Sequence, residues 1–442
     1  MSGSFHPART ELLERYFRLK ENQTTVRAEF LGGLTTFITM AYIVVVNPQI
    51  LSKAGMPVEG VVFATCIASA AATLVMGFYA NYPIALAPGM SLNAYFTYSV
   101  CLGMDVPWQT ALGVIFFSGV FFLILTVSRI REQIVNGIPD CLKHSTAAGI
   151  GMFIAFVGLR NANLVVANPA TFVSLGSFAN REAQLALVGL AIILILMTRK
   201  ITGAILIGVV ATTLLGIFRG MATWPEHIIS LPHASATWLK LDLRGALHLG
   251  LLEIIFVFLF VDLFDNVGTL LGVCEQGGFV KDGKIPRVGR ALISDAVGTI
   301  FGALTGTSTV TSYIESASGV AAGARTGLSN VFVAALFLLA AFFSPLATAI
   351  PGYATAPALI VVGALMTESI GRVVWSDFTD AIPAFVTLLA TPLTFSIATG
   401  LSLGLISYTL VKVAAGKFRE VSPVIWILTA LFILRYVYLA AE

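Results

Sequence analysis

Charge is scarce in this sequence. Of its 442 residues, 11% are Asp, Glu, Lys or Arg and 57% are hydrophobic, whereas a soluble domain carries about 25% charged residues. A soluble fold of this length has too much surface for so few charges to cover, so the apolar excess must face lipid. The net charge is only +3 and no basic stripe runs through the chain, which leaves nucleic-acid binding without support. Cysteine is sparse too. Cys66, Cys101, Cys141 and Cys274 lie far apart, mostly inside apolar runs, as small packing residues do, and show neither a disulfide framework nor a metal spacing. Paired histidines at i, i+4 are missing, and no nucleophile stands beside a candidate histidine base, so the usual marks of a membrane-embedded enzyme are absent. The polar N-terminal stretch lacks the apolar core and small-residue cleavage site of a signal peptide. It reads as a cytoplasmic tail over 1–27, partly helical near Leu12 to Leu19.

What the chain does have is a long succession of apolar segments, from 28–46 to 422–440, most of them near the 17–25 residues that a bilayer demands. Several late ones are too short to span alone, and about fourteen crossings is the best count. Placing the N-terminus in the cytoplasm and alternating sides puts most of the 26 basic residues on the inside, as the positive-inside rule requires. Segment 422–440 strains that count, because a fifteenth crossing would carry the C-terminus outside. The longest polar stretch, Arg219 to Leu247, divides the chain almost in half, with seven apolar segments before it and about seven after. An odd number of spans per half turns the second copy over, which is the arrangement of an inverted repeat.

The third segment of each half is broken. The first reads Ala87-Pro88-Gly89-Met90-Ser91-Leu92-Asn93-Ala94-Tyr95-Phe96. The second runs from Gly302 through Thr307-Ser308-Thr309-Val310-Thr311-Ser312-Tyr313-Ile314-Glu315 to Gly319. Proline removes a donor, and Ser, Thr and Gly favour turning or extended backbone. Such backbone is tolerated at membrane depth only where protein or a wet cavity surrounds it, and paired interruptions in two halves are the best sequence pointer to a transporter site. The plainer reading is a pair of helix kinks, or small residues for close packing.

Acidic residues lie in the same places. Asp262 and Asp265 sit deep in the run Leu251 to Leu271, Glu315 falls within the second broken segment, and Asp295 and Glu253 lie nearer segment ends. A carboxylate at the bilayer centre costs roughly 2.5–3.5 kcal/mol even on the lowest scale, so each is protonated, paired or facing a wet cavity. A hydrogen bond that merely fastens two helices is the alternative, strongest for Asp295 and Glu253. No basic residue sits at comparable depth. Carboxyls, amides and hydroxyls without Lys or Arg suit a neutral solute rich in N–H groups, or a cation, better than an anion. Asn93 supplies both donor and acceptor. Tyr95, Phe96 and Tyr313 offer ring faces, although aromatics in membrane proteins are commonly packing or belt residues.

At these residues the chain resembles the nucleobase–cation symporter family, in its branch of hypoxanthine, guanine and adenine permeases. The matching stretches are Gly33-Leu-Thr-Thr-Phe-Ile-Thr-Met-Ala-Tyr-Ile43 with Asn47-Pro48, Ala87 to Phe96, Asp262-Leu-Phe-Asp-Asn-Val-Gly-Thr-Leu270, Gly306 to Gly327, and Ser344-Pro345 followed by Tyr353 to Pro357. They cover nearly the whole chain in order. The resemblance implies an all-α membrane protein of fourteen segments in two inverted sevens, with short extended strands in segments three and ten. It implies a core domain (28–127 and 249–343), a gate domain (138–219 and 355–442) that often dimerises, and an extracellular connection over 220–248. It also implies purine–proton symport at the plasma membrane by alternating access, with sodium as the other candidate ion and no cofactor. Asp265 matches the acidic substrate ligand of the eighth segment, Glu315 the acidic or amide ligand of the tenth, and Asn93 the polar residue of the third. Ala94 and Tyr95 would offer backbone groups, and Ile314 is placed with them at the substrate. Asp265, Glu315, Asp262 and Thr269 are the expected proton-coupling set. Thr269 stands where some relatives carry a histidine, and Ser91 where close relatives often carry glycine. An anion carrier of the same architecture is the runner-up.

Overall fold

The structure is a computed structural model and describes residues 13–128, 137–231, 236–247, 252–280 and 285–438. The Glu253 side chain, residues 1–12 of the tail and the cluster around Lys281 and Lys284 lie outside the described residues. Ten helices among those described are long and apolar enough to cross a bilayer, and the chain is a multi-pass membrane protein. The first half runs α1 (Val26–Met40), α2 (Ile43–Leu51), α3 (Val58–Val75), strand β1 (Leu86–Pro88), α4 (Met90–Ala94) with the wide turns Tyr95–Cys101, α5 (Trp108–Val127), α6 (Asp140–Asn161), a hairpin β2 (Val165–Asn168) and β3 (Phe172–Leu175), α7 (Arg181–Thr198) and α8 (Ala204–Phe218). The second half runs α9 (Leu252–Gln276), α10 (Val288–Thr305), β4 (Val310–Ser312), α11 (Ser316–Ala321), α12 (Leu328–Ala340), α13 (Ser344–Ala349), α14 (Gly352–Met366), α15 (Phe378–Leu393), α16 (Ile397–Ala414) and α17 (Pro423–Tyr438).

The two broken segments become strands that pair with each other. β1 lies antiparallel to β4, with Leu86 opposite Ser312, Ala87 opposite Thr311 and Pro88 opposite Val310. Flanking bonds from Tyr313 N to Ala85 O and from Gly89 N to Thr309 O extend the ladder. An isolated two-stranded ladder in lipid would leave its outer edges bare. Each edge is met by a threonine from the preceding helix. Thr73 of α3 hydrogen-bonds both N–H and C=O of Leu86 at 2.9 and 3.1 Å, and Thr299 of α10 donates to Val310 O at 3.0 Å. The same device in the same place of each half is the inverted repeat made visible in hydrogen bonds.

The helices pack as two sets. In one, α12 lies against α1 and α3, α10 against α3 and α5, and α9 beside β4, α11 and α5. In the other, α6 packs along α14, α15 and α16, α7 lies on α8 and α14, and α17 lies on α16. Small residues bring α6 and α14 close, Gly151 facing Gly363 and Gly158 facing Ala356, as in other bilayer interfaces. The polar connection between the halves is lashed down rather than loose. Thr237 donates to the carbonyls of Gly60 and Thr305, Leu239 N to Leu304 O, and Asp242 N to Gln109 O.

Two features depart from the sequence-based expectation. The hairpin β2–β3 adds a second, exposed two-stranded sheet between segments five and six, where only a loop was expected; its Asn168-Pro169-Ala170-Thr171 turn is closed by Asn168 accepting from Ala170 N and Thr171 N. The tail is also docked, because Phe17 and Leu19 are buried against Leu328. The last helix, α17, is one of three short apolar helices among the described residues, with α8 and α15, and is bonded to α16 through Thr409–Thr429 and Ser402–Tyr436.

Candidate functional site

Strand β4 packs against α9, and two acids, one on α9 and one just past the end of β4, lie on either side of that contact. Asp265, halfway along α9 and half-buried, accepts a hydrogen bond from Ser91 Oγ at 3.2 Å. Glu315, at the start of α11 and also half-buried, accepts one from Tyr42 OH at 2.7 Å. The two carboxylates lie within electrostatic reach of each other, and Tyr313 lies within reach of both, its hydroxyl fixed on Pro88 O at 2.6 Å. Among the described residues no ion pair involves either acid.

Local sequence explains each placement. The first span breaks between Met40 and Ile43, which turns Tyr42 toward Glu315, while Thr39 Oγ1 reaches the Glu315 carbonyl at 3.5 Å. Gly89 N-caps a helix of only five residues, which carries Ser91 on one side and Asn93 on the other. Asn93 is wholly buried. Its Oδ1 accepts from Ser308 Oγ, and its Nδ2 has no partner among the described residues. The hydroxyls of Thr309, Thr311 and Ser312 and both amide atoms of Asn266 are likewise buried without a hydrogen-bond partner. Such groups cost about 1–3 kcal/mol each when unmet, and a cluster of them around a strand end suits a polar solute.

Ala94 and Tyr95 are fully buried behind Asn93, with the Tyr95 ring 5.0 Å from that of Phe258. Ile314 is 52% exposed, the most open residue beside Glu315. Thr269 lies one turn along α9 from Asp265 and is half-buried. Asp262 and Asp295 are closed off at 1% and 0% exposure, so they do not share the open face of Asp265. The sequence reading passed over Tyr42 and treated Ser91 only as a departure from relatives. Their signal was a phenol inside Met40-Ala-Tyr-Ile-Val-Val-Val46, and a hydroxyl two residues before Asn93.

Comparison with known proteins fits this geometry. The model of a permease family matches residues 27–403. The chain belongs to that family. Within it, the chain is 46% identical over 433 residues to the adenine permease AdeP of Escherichia coli, covering 98% of this chain and 97% of that one. It is 45% identical over 427 residues to the guanine/hypoxanthine permease PbuO of Bacillus subtilis, covering 95% and 99%. These relatives place it in the purine nucleobase permease branch. Among solved structures, the transmembrane domain of the cyanobacterial bicarbonate transporter BicA superposes with a TM-score of 0.64 at 17% identity, over 86% of this chain and 97% of that one, a likeness of fold alone. Family membership makes this chain a transporter of nucleobase type.

Proposed function

We propose that the protein is a purine nucleobase:proton symporter that works by alternating access. The observation that carries the reading is the pair Asp265–Ser91 and Glu315–Tyr42. Two half-buried acids, each held by one neutral hydroxyl and, among the described residues, by no cation, lie beside a strand ladder rich in unmet polar atoms. A purine offers N–H groups for carboxylates to accept and ring nitrogens for Asn93 Nδ2 to meet. The absence of an opposing charge leaves one acid to exchange a proton as the site loads. Asp265 and Glu315 are the substrate and coupling pair. Asn93, Ala94, Tyr95 and Ile314 line the base, and Asp262 and Thr269 extend the proton route along α9.

The helix set built on α1–α5 and α9–α12 acts as the core domain that carries the site, and the set built on α6–α8 and α14–α17 as the gate domain that faces it. The N-terminus lies in the cytoplasm at the plasma membrane, and two copies pair through the gate set. The experiment is uptake of labelled hypoxanthine into cells lacking their own permeases, competed by unlabelled adenine, guanine and hypoxanthine at two external pH values and with and without sodium. Purine competition and stronger uptake at the lower pH are expected. Sodium dependence without pH dependence would replace the proton by sodium, and uptake of sulfate or bicarbonate in place of purines would overturn the reading.

A further inference from the structure

Among the described residues, the side-chain hydrogen bonds that join the two helix sets, Asn161 Nδ2 to Tyr98 OH included, lie at one end of the molecule. Near the C-terminal end of α2, the Gln49 side chain spans the seam twice: Nε2 donates to Ile350 O, and Oε1 accepts from Thr355 Oγ1 of α14. Beside it, Ser99 Oγ donates to Phe395 O at 2.5 Å, in the break between α15 and α16. Phe395 is itself held between the rings of Phe153 and Phe156, 5.6 and 5.2 Å away, and under the Arg160 guanidinium. At the opposite end, the ion pairs of Lys412 with Asp380 and Glu420, and of Lys417 with Asp377, stay within the second set. Among the described residues no side-chain hydrogen bond crosses the seam there.

We infer that Gln49, seconded by Ser99, is the closure of the outer mouth, and that α2 links this closure to the site. The inference rests on the transport reading. Gln49 lies seven residues beyond Tyr42, about 10 Å along a helix at 1.5 Å per residue. One short helix therefore holds Glu315 at its inner end and the opposing set at its outer end. A purine that competes for Glu315 pulls on the same element that latches the seam. The latch is thin. A cavity of about 210 Å³, lined by Val46, Gln49, Asn161, Thr355 and Leu359 among others, runs along it, ample room for water. Parting two neutral hydrogen bonds thus opens a wet path rather than a dry void. Gln49 is a positioning residue: it sets which face of the site is open, without touching the substrate.

The test uses the full chain with Cys66, Cys101, Cys141 and Cys274 replaced by Ala, and a single reporter, Val46→Cys or, from the other wall, Leu359→Cys. A membrane-impermeant maleimide is added outside intact cells. The closed mouth makes labelling slow. Gln49→Ala and Thr355→Val, which cut the same bond from opposite sides, each raise the labelling rate about tenfold, the worth of one to two net hydrogen bonds; Ser99→Ala raises it less. The same variants lower both KM and maximal rate for external purine, because the outward state is more populated and closes less readily. A merely structural role would lower protein level and leave KM unchanged. Labelling in Gln49→Ala and Thr355→Val no faster than in the parent, at either reporter, would overturn the latch. Labelling reads the mouth without any substrate, so faster labelling of Gln49→Ala and Thr355→Val beside a parent that fails to take up purines would sink the transport reading and leave the latch standing.

Discussion

Glu29 accepts hydrogen bonds from the backbone N–H groups of Arg325, Thr326 and Ser329 at 2.9 to 3.4 Å and is wholly shielded. Asp265 accepts one, from Ser91, and keeps part of its surface open. Both are carboxylates among spanning helices of the same set. Glu29 caps the N-terminus of α12, where a negative charge is stabilised by donors and helix dipole alike, and it ties α1 to the chain between α11 and α12. No capacity is left over for a ligand. Asp265 has acceptor capacity to spare, and so does Glu315 with its one phenol. On the proposed reading, a buried acid with acceptor capacity to spare is the one free to meet a ligand, and one whose capacity is filled serves the fold.

The largest expected effect follows from that difference. Asp265→Ala, and likewise Glu315→Ala, should lower purine uptake at least about a hundredfold, the loss of roughly 3 kcal/mol of charged hydrogen bonding, with membrane level unchanged on a blot. Full uptake by both variants would end the site assignment. Glu29→Ala should do the reverse. It strands three buried donors, at a cost of about 3 kcal/mol or more, so less protein should survive as a monodisperse peak after heating in detergent, while KM of the surviving fraction holds. An unchanged melting profile would show that the cap is dispensable. Tyr42→Phe removes one hydroxyl from Glu315 and should cost about tenfold in uptake, with a shifted pH profile as the sign of an altered acid. Ser91→Gly, which removes the partner of Asp265, should cost only a few-fold, since water can replace a single hydroxyl; a loss as large as that of Asp265→Ala would promote Ser91 to a substrate ligand.

The smallest effect concerns acids outside the membrane. The Thr379 backbone N–H and hydroxyl, together with Lys417, hold Asp377 below its ordinary range, and Lys412 does the same for Glu420. A depressed folded-state value contributes stability above the unfolded pKa of about 4 and loses it as the pH falls through the folded value. Asp377→Asn should therefore lower stability slightly at neutral pH, where the contribution is fully present, and flatten the loss of monodisperse protein below about pH 4, where parent and variant converge. An acid limb identical to that of the parent would show that the pair is inert.

Much of this was legible in the sequence because membrane cost makes it so. Pro88-Gly89 and the hydroxyl run Thr307 to Ser312 cannot be lipid-facing helix, and they became β1 and β4. Asp265 and Glu315 stood out by their expense at depth. The arrangement of hydroxyls was not legible. Ser91 and Tyr42 belong to residue types scattered through the chain, and only the fold shows which of them meet an acid. Asp262 and Asp265 look alike in sequence, yet three positions of helix rotation shut one in and leave the other open. The β2–β3 hairpin escaped notice because Val165 to Leu175 alternates only weakly and lies in a stretch too short for a span. Glu29 went unremarked as a cap because its three donors lie about 300 residues away.

The β1–β4 ladder also sets a schedule for synthesis. Leu86 pairs with Ser312, 226 residues later, and at the usual ~5–20 residues per second the ribosome needs roughly 11–45 s to supply the mate. Throughout that interval the first strand, with bare peptide groups that hydrocarbon cannot solvate, has no finished place in the bilayer. Segment three must then wait in the insertion machinery or at the membrane surface until segment ten emerges, so the translocation apparatus has to hold the two halves of this chain together before it releases either.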